Sequence, residues 1–154
     1  MIKVLFICHG NICRSPMAQF VMQKLVNDKG IRDVFEIDSA ATSREEIGNS
    51  VHYGTIRKLR EVGIACGEHY ARQVTKADYD YYDYLIVMDK NNIRNIQRII
   101  PNDPMNKIHP LLSYAHMNRD IADPWYTGNF DQTYEDVLVG CEALLKEIMR
   151  KVEK

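Results

Sequence analysis

The first fifteen residues, MIKVLFICHGNICRS (Met1 to Ser15), decide the fold. The run from Ile2 to Ile7 is nearly continuous in apolar side chains, several of them β-branched or aromatic. Such a run predicts a strand that is buried on both faces of a parallel sheet. Cys8 then stands at the carboxyl end of the strand, where open α/β sheets place their ligands. We therefore expect the functional site to form around the loop that begins at Cys8.

That loop runs from Cys8 to Arg14 and contains two residues, Gly10 and Asn11, that tolerate a positive φ angle. A loop of this kind can curl so that its N–H groups converge. Ser15 is predicted to be the N-cap of the helix that follows, because a proline and an apolar stripe come directly after it. A strand, a tight loop and a helix start together form an anion site. The intervening residues are His9, Gly10, Asn11, Ile12 and Cys13.

The chemistry of such a loop follows from its two ends. The planar fork of Arg14 suits two oxygens of one phosphate group. The same positive environment favours the thiolate form of Cys8, which is a nucleophile without any neighbouring base. The alternative is that Cys8 is a small buried apolar residue at a strand end, as many free cysteines are.

The segment CHGNICRS with its following proline resembles the phosphate loop of the low-molecular-weight protein tyrosine phosphatases, and DPWY at 123–126 strengthens the resemblance. The resemblance extends over essentially the whole chain. It implies that Cys8 is the nucleophile, Arg14 the phosphate clamp and Asp123 the general acid. It also implies a four-stranded parallel sheet of order 2-1-3-4 in a three-layer α/β/α fold.

The resemblance also implies that Ser39 and His69 brace Asn11. Asp89, at the end of the third predicted strand, is expected to cap the next helix, and bracing of the site is an additional role for it. Trp125 and Tyr126 are expected to form one wall of the substrate pocket. The phosphate is expected to bind along the loop, at His9, Gly10, Asn11, Ile12, Cys13 and Ser15.

The loop after the second strand departs from the family pattern. Its aromatic rim residue is replaced here by Glu45 in the stretch TSREE. A carboxylate at the pocket mouth is expected to disfavour acidic flanking sequence in the substrate and to favour basic sequence. The alternative is a solvated loop charge with no role.

Composition sets the remaining bounds. A chain of 154 residues with a net charge of −1 predicts a single domain over 1–154, with no general attraction to nucleic acid or to a membrane. The four cysteines show neither metal-ligand spacing nor a disulfide framework, and there is no leader segment, so we expect a reduced cytoplasmic protein without metal or cofactor. Cys13 either traps an oxidised Cys8 as a disulfide or packs under the loop.

The predicted activity is hydrolysis of phosphotyrosine in proteins and of small aryl phosphates, through a phosphocysteine and without a metal, with inorganic phosphate as product. An arsenate reductase on the same fold and a non-catalytic phosphate-binding module are the alternatives. The remaining elements are predicted as strands at 34–40, 84–88 and 108–109, and as helices at 52–62, at 91–100 and from residue 130 onward.

Overall fold

The computed structural model describes residues 1–153 and contains one sheet of four parallel strands in the order β2-β1-β3-β4. This confirms the predicted fold class and strand order. The strands are β1 (Ile2–Cys8), β2 (Phe35–Ala41), β3 (Tyr84–Val87) and β4 (Ile108–Pro110).

Helices cover both faces of the sheet and give the fold its three layers. The side chains of Val4 and Phe6 point into a core shared with the first and last helices, whereas those of Leu5 and Ile7 point into a second core on the other face. The helices are α1 (Arg14–Asp28), α2 (Tyr53–Glu61), α3 (Lys76–Tyr81), α4 (Lys90–Ile96), α5 (Pro124–Thr127) and α6 (Phe130–Val152), with 3₁₀ turns at Arg32–Val34 and Leu111–Ala115.

The central strand β1 behaves as its composition predicts. All four residues from Val4 to Ile7 are completely buried, because β1 pairs with β2 on one side and with β3 on the other. Parallel strands place their carboxyl ends at one edge of the sheet, so the ends of β1, β2 and β3 lie together there. That edge is where the site forms.

Three local predictions differ from the structure. The N-cap of α1 is Cys13 and makes no side-chain capping bond, so the prediction of Ser15 as N-cap was wrong; its hydroxyl contacts Cys8 and Asn11 instead. Helix α4 ends at Ile96, because the chain tightens into i→i−3 bonds after it. Strand β2 begins at Phe35, since a 3₁₀ turn occupies the residues before it.

Candidate active site

A small pocket of about 110 Å³ lies at the carboxyl end of β1. Three stretches that are distant in sequence form its walls. The first is the whole loop from Cys8 to Arg14, the second is Glu45 and Glu46, and the third is Asp123, Trp125 and Tyr126.

The conformation of the loop depends on Asn11, which has a φ of +62°. Asparagine is one of the few non-glycine residues that enter this region readily. Gly10 was expected to share the property but does not have a positive φ. The absence of a side chain at Gly10 instead leaves room for the side chain of Glu46, because a Cβ at residue 10 would lie 3.3 Å from Cγ of Glu46.

The sulfur of Cys8 is almost completely buried beneath the loop, where three groups contact it. The backbone N–H groups of Asn11 and Ser15 donate to Sγ at 3.3 Å and 3.4 Å. The hydroxyl of Ser15 lies 3.0 Å from the same sulfur. The direction of that last hydrogen bond decides whether the sulfur acts only as an acceptor.

The side-chain amide of Asn11 orients the Ser15 hydroxyl. Its Oδ1 accepts from the backbone N–H of Arg72 at 3.3 Å, and therefore its Nδ2 must donate to the Ser15 hydroxyl, at 2.8 Å. With one lone pair occupied in this way, the hydroxyl still has its own proton free to donate to Sγ of Cys8. Two backbone N–H groups that donate to the sulfur, and a hydroxyl placed to add a third hydrogen bond, form an arrangement that stabilises negative charge on sulfur.

Ser39 and His69 complete the surroundings of Asn11. Nδ2 of Asn11 also donates to Oγ of Ser39 at 2.9 Å, and Ser39 in turn donates to Oε1 of Gln19 at 2.6 Å. Nε2 of His69 lies 2.9 Å from Oδ1 of Asn11 and donates to it. Burial lowers the pKa of His69 by more than the nearby Asp38 carboxylate raises it, and the positive charge of Arg72 lowers it further. The ring therefore acts as a neutral donor to Asn11.

Arg14 is buried between the loop and the far end of the chain. One of its terminal nitrogens, Nη1, donates to Asp89 at 2.6 Å and to the carbonyl of Ile121 at 2.8 Å, while Nη2 lies 3.4 Å from Asp123. Burial opposes the charge, but the charges of Cys8, Asp89 and Asp123 outweigh it and raise the pKa of Arg14. The guanidinium thus stays charged, with donors left over for a bound anion.

The two roles considered for Asp89 coexist because its two oxygens are used separately. Oδ1 accepts from the backbone N–H of Asn92 at 2.7 Å and so caps α4. Oδ2 accepts from Arg14 at 2.6 Å. The start of α4 and the orientation of the guanidinium are therefore coupled through one carboxylate.

Asp123 also divides its oxygens between structure and pocket. Oδ1 accepts from the backbone N–H of Trp125 at 3.0 Å and caps the short helix α5. Oδ2 faces Arg14 across the pocket. Asp123 therefore caps α5 and faces the pocket at the same time.

The segment that carries Asp123 is tied to several elements. The backbone N–H of Ile121 donates to the carbonyl of Met88 at 3.0 Å, next to the end of β3. Arg119 donates through both terminal nitrogens to Asp136 on α6, at 2.8 Å and 3.0 Å. These contacts hold the carboxyl group of Asp123 at the pocket.

The aromatic residues after Asp123 are open to solvent. Trp125 is 57% exposed and Tyr126 is 81% exposed, and both line the pocket. The ring of His52 meets Trp125 edge to face, with 5.6 Å between the centroids. This wall offers free aromatic surface beside the anion site.

Glu45 lies at the mouth of the pocket, and its Oε2 is 2.8 Å from Nε2 of His9. The adjacent Glu46 lines the same pocket but was not predicted. Gln19 and Arg72 were missed as well. Gln19 is a polar residue between buried positions of α1, a signal that could have marked it, whereas Arg72 reaches Asn11 through its backbone and carries no such signal.

The four cysteines are all free thiols in the structure. Burial, with contributions from the charges of Cys8 and Asp123, raises the pKa of Cys13 to about 12. Cys141, on the inner face of α6, is completely buried in the core, and burial raises its pKa also. Within residues 1–153, no group of three or more His, Cys, Asp or Glu side chains is placed to hold a metal ion. The same residues contain no helix with the length and apolarity that a membrane span requires.

One small pocket thus combines a buried sulfur that accepts hydrogen bonds, a guanidinium and a carboxyl group. This combination is typical of enzymes that bind phosphate and react with it through a cysteine. Comparison with known proteins identifies the family. The sequence model of the low molecular weight phosphotyrosine protein phosphatases matches residues 3–154, and the chain belongs to that family.

Individual relatives match over nearly their whole length. The low molecular weight protein-tyrosine-phosphatase YfkJ of Bacillus subtilis is 40% identical over 153 residues, covering 98% of each chain. The mouse low molecular weight phosphotyrosine protein phosphatase is 42% identical over 151 residues, covering 94% of each. The crystal structure of YfkJ superposes with a TM-score of 0.94 at 40% identity, covering 98% of this chain and 96% of that one.

Proposed function

We propose that this protein hydrolyses phosphotyrosine in proteins and small aryl phosphate monoesters through a phosphocysteine at Cys8. The observation that carries the proposal is the sulfur of Cys8, which accepts two backbone N–H hydrogen bonds and lies 3.0 Å from the Ser15 hydroxyl, in a pocket shared with Arg14 and Asp123. Family membership supports the same activity, since proteins with this name act on phosphotyrosine.

In the first displacement, Sγ of Cys8 attacks phosphorus as the bond from phosphorus to the phenolic oxygen breaks. Arg14 and the loop from His9 to Ser15 hold the other phosphate oxygens, so that the barrier is lowered by positioning and electrostatics. Asp123 donates its proton to the departing phenolic oxygen. The ring of the substrate lies against Trp125 and Tyr126.

In the second displacement, the carboxylate of Asp123 takes a proton from water, and the water oxygen attacks phosphorus. The bond from phosphorus to sulfur breaks, which releases inorganic phosphate and returns Cys8 to its thiolate form. The Ser15 hydroxyl stabilises that leaving thiolate, because it lies 3.0 Å from Sγ and is the only one of the two groups that can then donate a proton. Asn11 positions the hydroxyl and is in turn positioned by Ser39 and His69.

The structure gives little support to an arsenate reductase. Such an enzyme needs further cysteines that relay oxidation away from the first one. Cys141 is completely buried, and burial raises the pKa of both Cys141 and Cys66, which disfavours thiolate exchange at either. A non-catalytic binding module has no use for a carboxyl group beside the leaving-group position.

The proposal extends to the setting of the reaction. Residues 1–154 act as one catalytic domain, because the pocket combines the first loop with a segment near the other end of the chain. A reducing compartment such as the cytoplasm suits an enzyme whose nucleophile must stay a thiolate. We expect phosphotyrosine-containing proteins or small aryl phosphates as substrates, with no requirement for a cofactor, a nucleic acid or a membrane.

A steady-state assay tests the function directly. Phosphotyrosine peptide, phosphoserine peptide and p-nitrophenyl phosphate are incubated with the protein in the presence of a metal chelator, and phosphate release is measured. We expect turnover of the two aryl esters only, and its complete loss in Cys8→Ser with phosphate binding retained. Activity that survives in Cys8→Ser, or that requires an added metal, would contradict the proposal.

A further inference from the structure

We propose that Glu45 and Glu46 select substrates that carry a positive charge beside the phosphorylated ring, as in phosphotyrosine flanked by lysine or arginine. This inference rests on the proposed function and adds the class of substrate to it. It depends on the two carboxylates that line the mouth of the pocket.

Both glutamates are held at the mouth by their neighbours. The carboxylate of Glu45 lies against His9 of the phosphate loop, and the Glu45 side chain is nevertheless 68% exposed. Oε2 of Glu46 accepts from Nδ2 of Asn49 at 2.5 Å, and the Glu46 side chain packs close to Gly10. The two charges are therefore positioned in the free protein and need no rearrangement to meet a substrate.

The balance of charge around the pocket is acidic outside the phosphate position. Among the described residues 1–153, Arg14 is the only arginine or lysine that lines the pocket, and its guanidinium is already shared with Asp89 and Asp123. The other side chain able to carry positive charge there is that of His9. The loop amides and Arg14 compensate the phosphate itself, whereas an anionic residue that flanks it would meet the two carboxylates at the mouth.

A cation on the substrate removes that conflict. Lysine or arginine beside the phosphotyrosine would pair with Glu45 or Glu46 while the phosphate occupies the loop. An aspartate or glutamate at the same place would be repelled by both. Each exposed pair is expected to change affinity by roughly 1.4- to 5-fold, so the two together give about 2- to 25-fold between basic and acidic flanks.

The two walls of the mouth then have separate tasks. Trp125 and Tyr126 supply exposed aromatic surface for the ring of the substrate. Glu45 and Glu46 attract basic residues and repel acidic residues beside the phosphotyrosine. A small aryl phosphate without flanks uses only the first wall, whereas a protein substrate uses both.

The test compares three phosphotyrosine peptides that differ only in having lysine, glutamine or glutamate on both sides of the phosphotyrosine. Affinity is measured calorimetrically in the Cys8→Ser background, with and without Glu45→Gln and Glu46→Gln together. Turnover of the same peptides is measured with Cys8 intact. Asp33→Asn is the matched control, since Asp33 is a fully exposed carboxylate just before the amino end of β2, at the other edge of the sheet.

We expect the lysine peptide to bind about tenfold more tightly than the glutamate peptide at low salt. The preference should shrink in 0.5 M salt and in the double variant, and persist in Asp33→Asn. Equal affinity for the three peptides, or a preference that survives the double variant, would overturn the inference. The affinity measurements in Cys8→Ser do not depend on turnover. If the proposed hydrolysis is wrong, the phosphopeptides will remain intact in the reactions with Cys8, and the affinity comparison will still test the charge preference.

Discussion

The phosphate loop and the segment from Arg119 to Tyr126 form two sides of one pocket, yet they are built in different ways. In the loop, Cys8 and Ser15 are buried, and hydrogen bonds that converge on Asn11 hold them. In the other segment, the aromatic side chains are exposed, and the backbone is attached to the rest of the protein by contacts with α1, β3 and α6.

The difference matches the two tasks of the proposed reaction. The loop must hold a fixed chemical group, the phosphate, and burial strengthens the electrostatic interactions that hold it. The segment from Arg119 to Tyr126 must accept leaving groups on many different substrates, and an open surface permits that variety. Variants in the phosphate loop and variants in the segment from Arg119 to Tyr126 should therefore change different kinetic quantities.

The largest effect is expected from Asp123→Ala, which removes the proton donor but leaves the loop intact. Hydrolysis of a substrate with a poor leaving group, such as phenyl phosphate, should slow by about 10²- to 10⁴-fold. p-Nitrophenyl phosphate should be affected far less, because its phenolate departs without a proton. Rates for a series of substituted phenyl phosphates measure the difference. A uniform loss across the series would show that Asp123 acts on the loop and not on the leaving group.

A smaller effect is expected from Asn11→Ala, which changes the phosphate loop. The change removes the hydrogen bonds to Ser15, Ser39 and His69 and places an alanine at a φ of +62°. A loss of about 1–3 kcal/mol, or roughly 5- to 150-fold in kcat/KM, should appear for good and poor leaving groups alike.

Asn11→Gly is the matched control, because glycine accepts the positive φ without strain. If the hydrogen bonds orient the loop, Asn11→Gly should lose nearly as much activity as Asn11→Ala. Recovery of most of the activity in Asn11→Gly would instead assign the effect to backbone strain.

The smallest effect is expected from Arg119→Met, which loosens the attachment of the acid segment to Asp136. We expect about a 2- to 5-fold loss in kcat for phenyl phosphate and almost none for p-nitrophenyl phosphate. Arg150→Met is the control, since Arg150 forms a similar two-nitrogen pair with Glu147 near the end of α6. Equal losses in the two variants, or equal losses on the two substrates, would contradict a positioning role for Arg119.

Much of the fold could be predicted because its signals are local. The apolar run of β1 and the stripe that starts α6 at Phe130 each identify an element from adjacent residues, and both are present. Ser15 shows where this reasoning fails. A serine before a proline is a good N-cap by local rules, but a buried sulfur and the Asn11 amide compete for its hydroxyl, and those interactions depend on how the loop closes.

The mouth of the pocket shows the same limit. Glu45 was predicted to lie there from the resemblance to the family, whereas Glu46 was not, although the two are adjacent. Neighbouring residues in a loop usually point in different directions, and only the packing of Glu46 against Gly10 brings both to the pocket. Gln19 and the backbone N–H of Arg72 were likewise beyond local reasoning, since each meets its partner across a different element.

The sequence by itself determined the strand, the loop and the helix start that together form an anion site, because these lie within a few residues of one another and need only local geometry. The tertiary structure decided that Arg14 meets Asp89 and Asp123, which are 75 and 109 residues away along the chain. Parallel strands end at a common edge, and the anchoring of the 119–123 segment to β3 and α6 brings the carboxyl group of Asp123 to that edge. The contacts of Arg14 with Asp89 and Asp123 depend on the packing of the whole core, and no short stretch of sequence specifies that packing.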